Sequence, residues 1–168
     1  EAGRGPITEG VFRALAANPA GADQRLVAEV RPRGFSVSTV KHAHHAFALD
    51  VPGKDSFRHR AAGAGEVLLA SGKRWALLHE LDGAPEPDLP ELLAKLSPVD
   101  LVLVEGFKRE GHAKIEASRH ETGKGLIAAE DASVKAVACN YTAEVDRPVF
   151  DLDDTSGIAD FILAEVGL

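Results

Sequence analysis

With 168 residues the chain is long enough for one well-buried core and short for two ordinary domains, so a single domain is expected. Its 19 Lys+Arg against 26 Asp+Glu leave a net charge of -7, which opposes broad attraction to nucleic acid or to an anionic membrane. One cysteine, Cys139, cannot build a disulfide framework or a thiolate-rich zinc site within one chain, and no apolar run approaches the ~20 residues of a membrane span; a soluble protein of the cytoplasm is the expectation.

The chain opens with a stretch rich in Ala, Gly, Pro and Arg, in which only Val11, Phe12 and Leu15 are substantial apolar side chains. An atypical, poorly ordered segment is expected over residues 1–24, ahead of a domain spanning residues 25–168. From Gln24 to Val30 the pattern is helical; Pro32 and then Gly34 stop it. Phe35 to Lys41 is rich in β-formers and runs into Lys41-His42-Ala43-His44-His45, placing the histidines at a strand end.

A polar loop with Pro52-Gly53 leads to Asp55 and Ser56, residue types that cap helices, and to a short helix over Phe57–Ala62 before Gly63. Two β-rich runs, Glu66 to Ser71 and Arg74 to His79, flank Gly72-Lys73. Glycine first in a two-residue loop predicts a type II′ hairpin and therefore some antiparallel sheet. Asp88 followed by Glu91 has a capping-box spacing, and Leu89, Leu92, Leu93 and Leu96 share one helical face. Val99, Leu101, Val102, Leu103 and Val104 put apolar residues on both faces of any strand they form, as expected of a central strand covered by helices. Lys114 to Ser118, a strand over Lys135–Cys139, a short edge at Val149-Phe150 and a final helix striped with Ile158, Phe161, Ile162 and Val166 complete the chain. Helices alternating with strands predict a three-layer α/β domain around a mixed, mostly parallel sheet.

In such sheets ligands bind beyond the C-terminal ends of the strands, so polar residues directly after a strand are the ones to weigh. The central strand delivers Glu105, Gly106 and Lys108 to one edge. The carboxylate suits Mg²⁺, the glycine permits close approach of a ligand, and the ammonium suits phosphate; a plain surface Glu and Lys is the alternative. The second cluster is Lys41, His42, His44 and His45, continued by Asp50, Lys54, Asp55 and Arg58. Its cations suit phosphate oxygens, and His42 with His44 is compatible with a transition-metal pair if the strand persists; loop histidines beside an anion site are the alternative. His59, His79, His112 and His120 have no ligand spacing and read as surface residues. Cys139 reads as a small buried hydrophobe, and no Gly-x-Ser-x-Gly elbow supports acyl transfer.

Four ordered blocks, Val37 to His45, Pro52 to Ala64, Arg74 to Glu80 and Asp100 to Arg109, together resemble the successive motifs of the MobB family of molybdopterin-guanine dinucleotide biosynthesis. The closing Pro148 to Asp154 extends the resemblance, which covers about Arg25 to Leu168. It implies a P-loop NTPase-like fold that takes GTP with Mg²⁺, is at most a weak GTPase, forms a homodimer, and acts as an adapter beside the molybdenum cofactor guanylyltransferase, with molybdopterin as a further candidate ligand. It also implies that Glu105 is the metal-side carboxylate, with Gly106 and Lys108 on the same Walker-B-like edge. The Lys41 to His45 and Pro52 to Arg58 blocks would line the nucleotide or pterin side.

One departure stands out. The family opens with an apolar strand and a Gly-x-x-x-x-Gly-Lys-Thr loop, whereas here Arg13 to Gln24 contains no such loop, so the first strand and phosphate loop are doubtful. Such a loop works through a nest of backbone N–H groups, a lysine on the phosphates and a hydroxyl on the metal ion. Pro19 removes a donor and Asp23 repels phosphate. Nucleotide binding is therefore expected to be impaired, and a protein-interaction module without nucleotide chemistry is the second reading; a histidine metal protein is the third. A displaced reading frame in the source gene would explain the switch near Arg25, and true divergence is the alternative. Ala46, Ala48 and Asn140 also stand where relatives are expected to carry acidic or polar groups, Asn140 weakening recognition of a base.

Overall fold

The structure, a computed structural model, describes residues 11–16, 22–43, 47, 49–107, 110–123 and 125–168, with the backbone alone for 11–16 and 22. These fall into two compact units, one of residues 1–42 and 89–168, the other of residues 43–88. Among the described residues no helix is long and apolar enough to cross a membrane.

The larger unit is built on six parallel strands: β1 (Val11–Ala16), β2 (Val37–Lys41), β5 (Leu101–Glu105), β6 (Lys114–Ser118), β7 (Val134–Cys139) and β8 (Val149–Asp151), in the order β2-β5-β1-β6-β7-β8. Every pairing in this sheet is parallel. Both strand directions expected from the sequence occur, but in separate sheets: among the described residues the antiparallel pair is β3 (Glu66–Ala70) with β4 (Trp75–His79), which forms a sheet of its own in the smaller unit. The central position for which a strand seemed doubtful is filled by β1, in register with Val102–Glu105 on one side and Lys114–Ala117 on the other.

Helices α1 (Ala22–Val30) and α4 (Thr155–Glu165) cover one face. Leu26 and Val30, one helical turn apart, meet Ile158, Ala159, Ile162 and Leu163 over Leu101, Leu103, Ile115, Ala136 and Ala138. The opposite face of β5 presents Val102 and Val104 to Leu89 and Leu93 of α3 (Leu89–Leu93). Alternate residues of β7 do the same, with Val137 and Cys139 against Ala128 and Leu126. A strand buried on both faces must be apolar throughout, which is why Leu101–Val104 carries no polar residue. Helix α1 stops where the sequence predicts: Arg31–Arg33 tightens into one 3₁₀ turn, and Gly34 at φ 96° donates its N–H to the Arg31 carbonyl. Helix α4 is capped by Asp154, whose side chain accepts from the Gly157 N–H at 2.9 Å.

Two polar clusters support this sheet from within. Lys114, on β6, is fully buried, and its ammonium donates to Asp131 at 2.8 Å. Glu116, two residues on, accepts from the backbone N–H groups of Ile127 and Ala128, fixing the 3₁₀ turn that covers β7. Their polarity looks odd for strand interiors until these partners are seen: each satisfies a buried charge that would otherwise cost several kcal/mol, on the order of 3–5.

In the smaller unit, α2 (Asp55–Ala61) starts two residues earlier than expected. Lys54 occupies the N-cap position with no side-chain cap, so Asp55 is not the cap but the first helical residue, where its charge suits the helix dipole. The hairpin between β3 and β4 also differs from expectation. Gly72 does not take the positive φ of a type II′ turn; instead Ser71 Oγ accepts from the N–H groups of Lys73 and Arg74 and closes the loop through its side chain.

Candidate functional site

The parallel sheet brings the ends of β2 and β5 side by side, with Lys41 directly opposite Glu105. The Lys41 ammonium donates to both carboxylate oxygens of Glu105, at 2.8 and 3.0 Å. The next residue, His42, donates its backbone N–H to the Glu105 carbonyl at 2.8 Å, so backbone and side chain tie the same two strand ends together.

Beyond Glu105 the chain turns sharply. Gly106 sits at φ 94°, and a Cβ there would lie 2.5 Å from the His42 Cβ, so glycine is required both by the backbone and by the neighbour. Phe107 also takes a positive φ, 49°, and its ring packs at 4.9 Å from the His42 imidazole.

A third charged side chain enters from the first turn of α1. The Asp23 carboxyl is hydrogen-bonded to that of Glu105, and its pKa is pushed up to about 6, first by burial, then by the hydrogen bond and the charge of Glu105, with Lys41 opposing. Two carboxyls sharing one hydrogen bond need a proton between them or a cation beside them. Lys41 supplies part of that cation, and its own pKa is raised, chiefly by its hydrogen bond to Glu105. Asp23 Oδ1 is buried and has no hydrogen-bond partner among the described residues.

Of the residues expected at the site, Lys41, His42, Glu105 and Gly106 are therefore brought together in the larger unit. His44, His45 and Lys108 lie outside the described residues. Asp50, Lys54, Asp55 and Arg58 belong to the smaller unit. There Asp50 is not an exposed ligand: its side chain is 2% exposed and both its oxygens accept from Arg60, at 2.8 and 3.0 Å, which holds its pKa low. Arg60 also donates to Glu80 at 2.7 Å, so this trio is a structural clamp. Arg58 and Asp55 lie 4.0 Å apart on the exposed face of α2.

Sequence reasoning placed Asp23 only as an obstacle to phosphate and missed its contact with Glu105; the acid in the first turn of a helix that follows a central strand was the available signal. It also missed Arg60 as the partner of Asp50, for which only spacing on a short helix offered a hint. Of the four scattered histidines read as surface residues, His112 is partly buried, its Nδ1 without a partner among the described residues, while the exposed His79 meets Glu66 across the hairpin at 2.8 Å.

The donor set tests the expected ligands differently. Carboxylate oxygens of Asp23 and Glu105, one of them orphaned, are hard ligands of the kind Mg²⁺ takes, so a magnesium ion fits. Among the described residues no three His, Cys, Asp or Glu side chains converge, so such an ion would complete its shell with water or ligand oxygens. A triphosphate fits poorly, because Asp23 presents a carboxyl at the start of α1, where phosphate binding calls for bare N–H groups and a cation.

The family model described as molybdopterin guanine dinucleotide synthesis protein B matches residues 23–140. The chain belongs to the MobB family. Two curated relatives, both named molybdopterin-guanine dinucleotide biosynthesis adapter protein, bear this out. The one from Haemophilus influenzae is 42% identical over 83% of this chain and 78% of its own length. The one from Escherichia coli is 39% identical over 83% of this chain and 82% of its own. A crystal structure of molybdopterin-guanine biosynthesis protein B (mobB) shares the fold with a TM-score of 0.71, at 23% identity over 92% of this chain and 98% of that one. The MobB match begins at residue 23, within the first turn of α1 and after the stretch whose composition departs from the rest.

Proposed function

We propose that this chain is an adapter in the making of molybdopterin-guanine dinucleotide, working beside the guanylyltransferase that joins GMP to molybdopterin, with a P-loop-type domain whose capture of GTP is impaired. The observation that carries the impairment is the Asp23 carboxyl beside Glu105. It puts negative charge at the start of α1, and no Gly-Lys-Ser or Gly-Lys-Thr occurs within these 168 residues to offset it. The adapter role rests on the names of the two curated relatives.

In this reading Glu105 is the metal-side carboxylate, flanked by Lys41, His42 and Gly106. When bound, magnesium would neutralise phosphate charge there. By residue type, Lys54, Asp55 and Arg58 within the smaller unit suit an anion or a pterin, as do His44, His45 and Lys108. Any GTP hydrolysis is slow, since no lysine of a phosphate loop is available.

The protein works as a homodimer. The smaller unit supports this: a two-stranded sheet is marginal in water by itself, yet β3 and β4 expose Leu68, Trp75 and Leu77, and the preceding segment exposes Phe47, Leu49 and Val51 at alternate positions. A second copy would bury these side chains. Light scattering on the purified protein should give twice the monomer mass, and Trp75→Lys should shift it toward monomer.

The adapter reading is tested by immobilising the guanylyltransferase and titrating this chain over it. Saturable binding is expected without added GTP; no binding in the presence or absence of GTP and Mg²⁺ would refute it.

A further inference from the structure

The Lys41–Glu105 pair does more than join two strands. Lys41 spans both oxygens of the Glu105 carboxylate, which is how a small cation caps an acid. Its side chain is 68% exposed while that of Glu105 is 19% exposed, so the ammonium closes the site from the solvent side and can leave into water. An exposed pair of this kind is worth little, and opening it is easy. Behind it, the Asp23 carboxyl is hydrogen-bonded to Glu105 with one buried oxygen lacking a partner among the described residues. Among the described residues two acids thus face one lysine.

We infer that Lys41 is a built-in stand-in for a divalent cation: it and the metal ion compete for the Glu105 carboxylate, so a metal ion enters only as the lysine swings away. The two cannot share the carboxylate at close range, because an ammonium and a divalent ion a few ångströms apart repel strongly. Lysine suits the task because its charge is compact and its stem flexible, whereas an arginine fork would bind the carboxylate in a fixed plane. Once displaced, the ammonium is free to meet an anion that arrives with the metal ion, which couples the two events. The inference rests on the reading of Glu105 as the metal-side carboxylate.

The test is a titration of nucleotide-free protein with Mn²⁺, following the free ion by electron paramagnetic resonance. Lys41→Met should bind Mn²⁺ about tenfold more tightly than the natural chain, Lys41→Arg should bind it no more tightly than the natural chain, and Lys41→Met with Glu105→Gln should lose the gain. A folded Lys41→Met that binds no more tightly than the natural chain overturns the proposal, and so does a gain that survives Glu105→Gln. Should Lys41→Met fail to fold, the natural chain gives the answer. Acetylation of the Lys41 amine should rise several-fold at saturating Mg²⁺, and an unchanged rate overturns the proposal. Because no nucleotide is present, tight GTP binding by the natural chain would sink the impaired-capture reading and leave this comparison standing.

Discussion

Replacing Gly106 by alanine probes the turn that carries the site. Two costs add. At φ 94° an alanine must adopt a left-handed backbone, which costs about 1–2 kcal/mol. Its Cβ would also stand 2.5 Å from the His42 Cβ and 3.5 Å from the His42 Cα. Relief requires His42 to move by the better part of an ångström, and its backbone is pinned by the 2.8 Å bond to the Glu105 carbonyl. Overpacking of that kind costs about 1–3 kcal/mol. The sum, about 2–5 kcal/mol, corresponds to a fall in the melting midpoint of roughly 5–15 °C for a chain of this size. Gly34 is the control: its φ is 96°, yet nothing lies within 4 Å of its would-be Cβ, so Gly34→Ala carries the backbone cost alone. Circular dichroism melts of both variants and the natural chain separate the two contributions. If Gly106→Ala melts no lower than Gly34→Ala, the close approach of His42 is not a constraint and the reasoning about this turn fails.

Arg60→Ala should loosen the smaller unit, since it leaves the Asp50 carboxylate without its partner, and hydrogen exchange over residues 43–88 should quicken while residues 101–105 stay protected; unchanged exchange over residues 43–88 would contradict the clamp. The Asp131 carboxyl is held well below its usual range, first by the hydrogen bond from Lys114 and then by Ser133. Its stabilisation is present above the unfolded value of 3.8 and is lost as the pH falls through the depressed folded value. Asp131→Asn should therefore melt well below the natural chain at pH 6, with the gap narrowing as both are acidified below about pH 4; a gap independent of pH would remove Asp131 from the acid response. Glu105→Ala should weaken Mg²⁺-dependent binding of any nucleotide the chain takes up, by on the order of 1–3 kcal/mol, and unchanged affinity in that titration would take Glu105 out of the site.

Local pattern was enough where burial decides residue type. Leu101–Val104 announced a strand covered on both faces, and the stripe of Ile158, Phe161 and Ile162 announced a helix laid on a core. Pairing across long separations was not available to that reasoning. Glu66–Ala70 and Trp75–His79 predict each other through the two-residue loop, but nothing local says that the pair forms its own sheet instead of joining the parallel one. Likewise β1 earns its central place from neighbours about ninety residues away in sequence, and Lys41 meets Glu105 across 64 residues. The strand-end rule names Lys41, His42, Glu105 and Gly106, and the structure brings these four together because parallel strands deliver their C-terminal residues to one edge. It could not say that Glu105 is already capped by Lys41, nor that Asp50 points its charge at Arg60, because both depend on side-chain partners and not on residue type.

The most direct test of impaired nucleotide capture is equilibrium titration of the natural chain with a fluorescent GTP analogue in the presence of Mg²⁺. Saturable binding should be absent below roughly 100 μM, whereas magnesium-dependent binding with a Kd of about 1 μM would mean that the triphosphate is held without a glycine-lysine cradle.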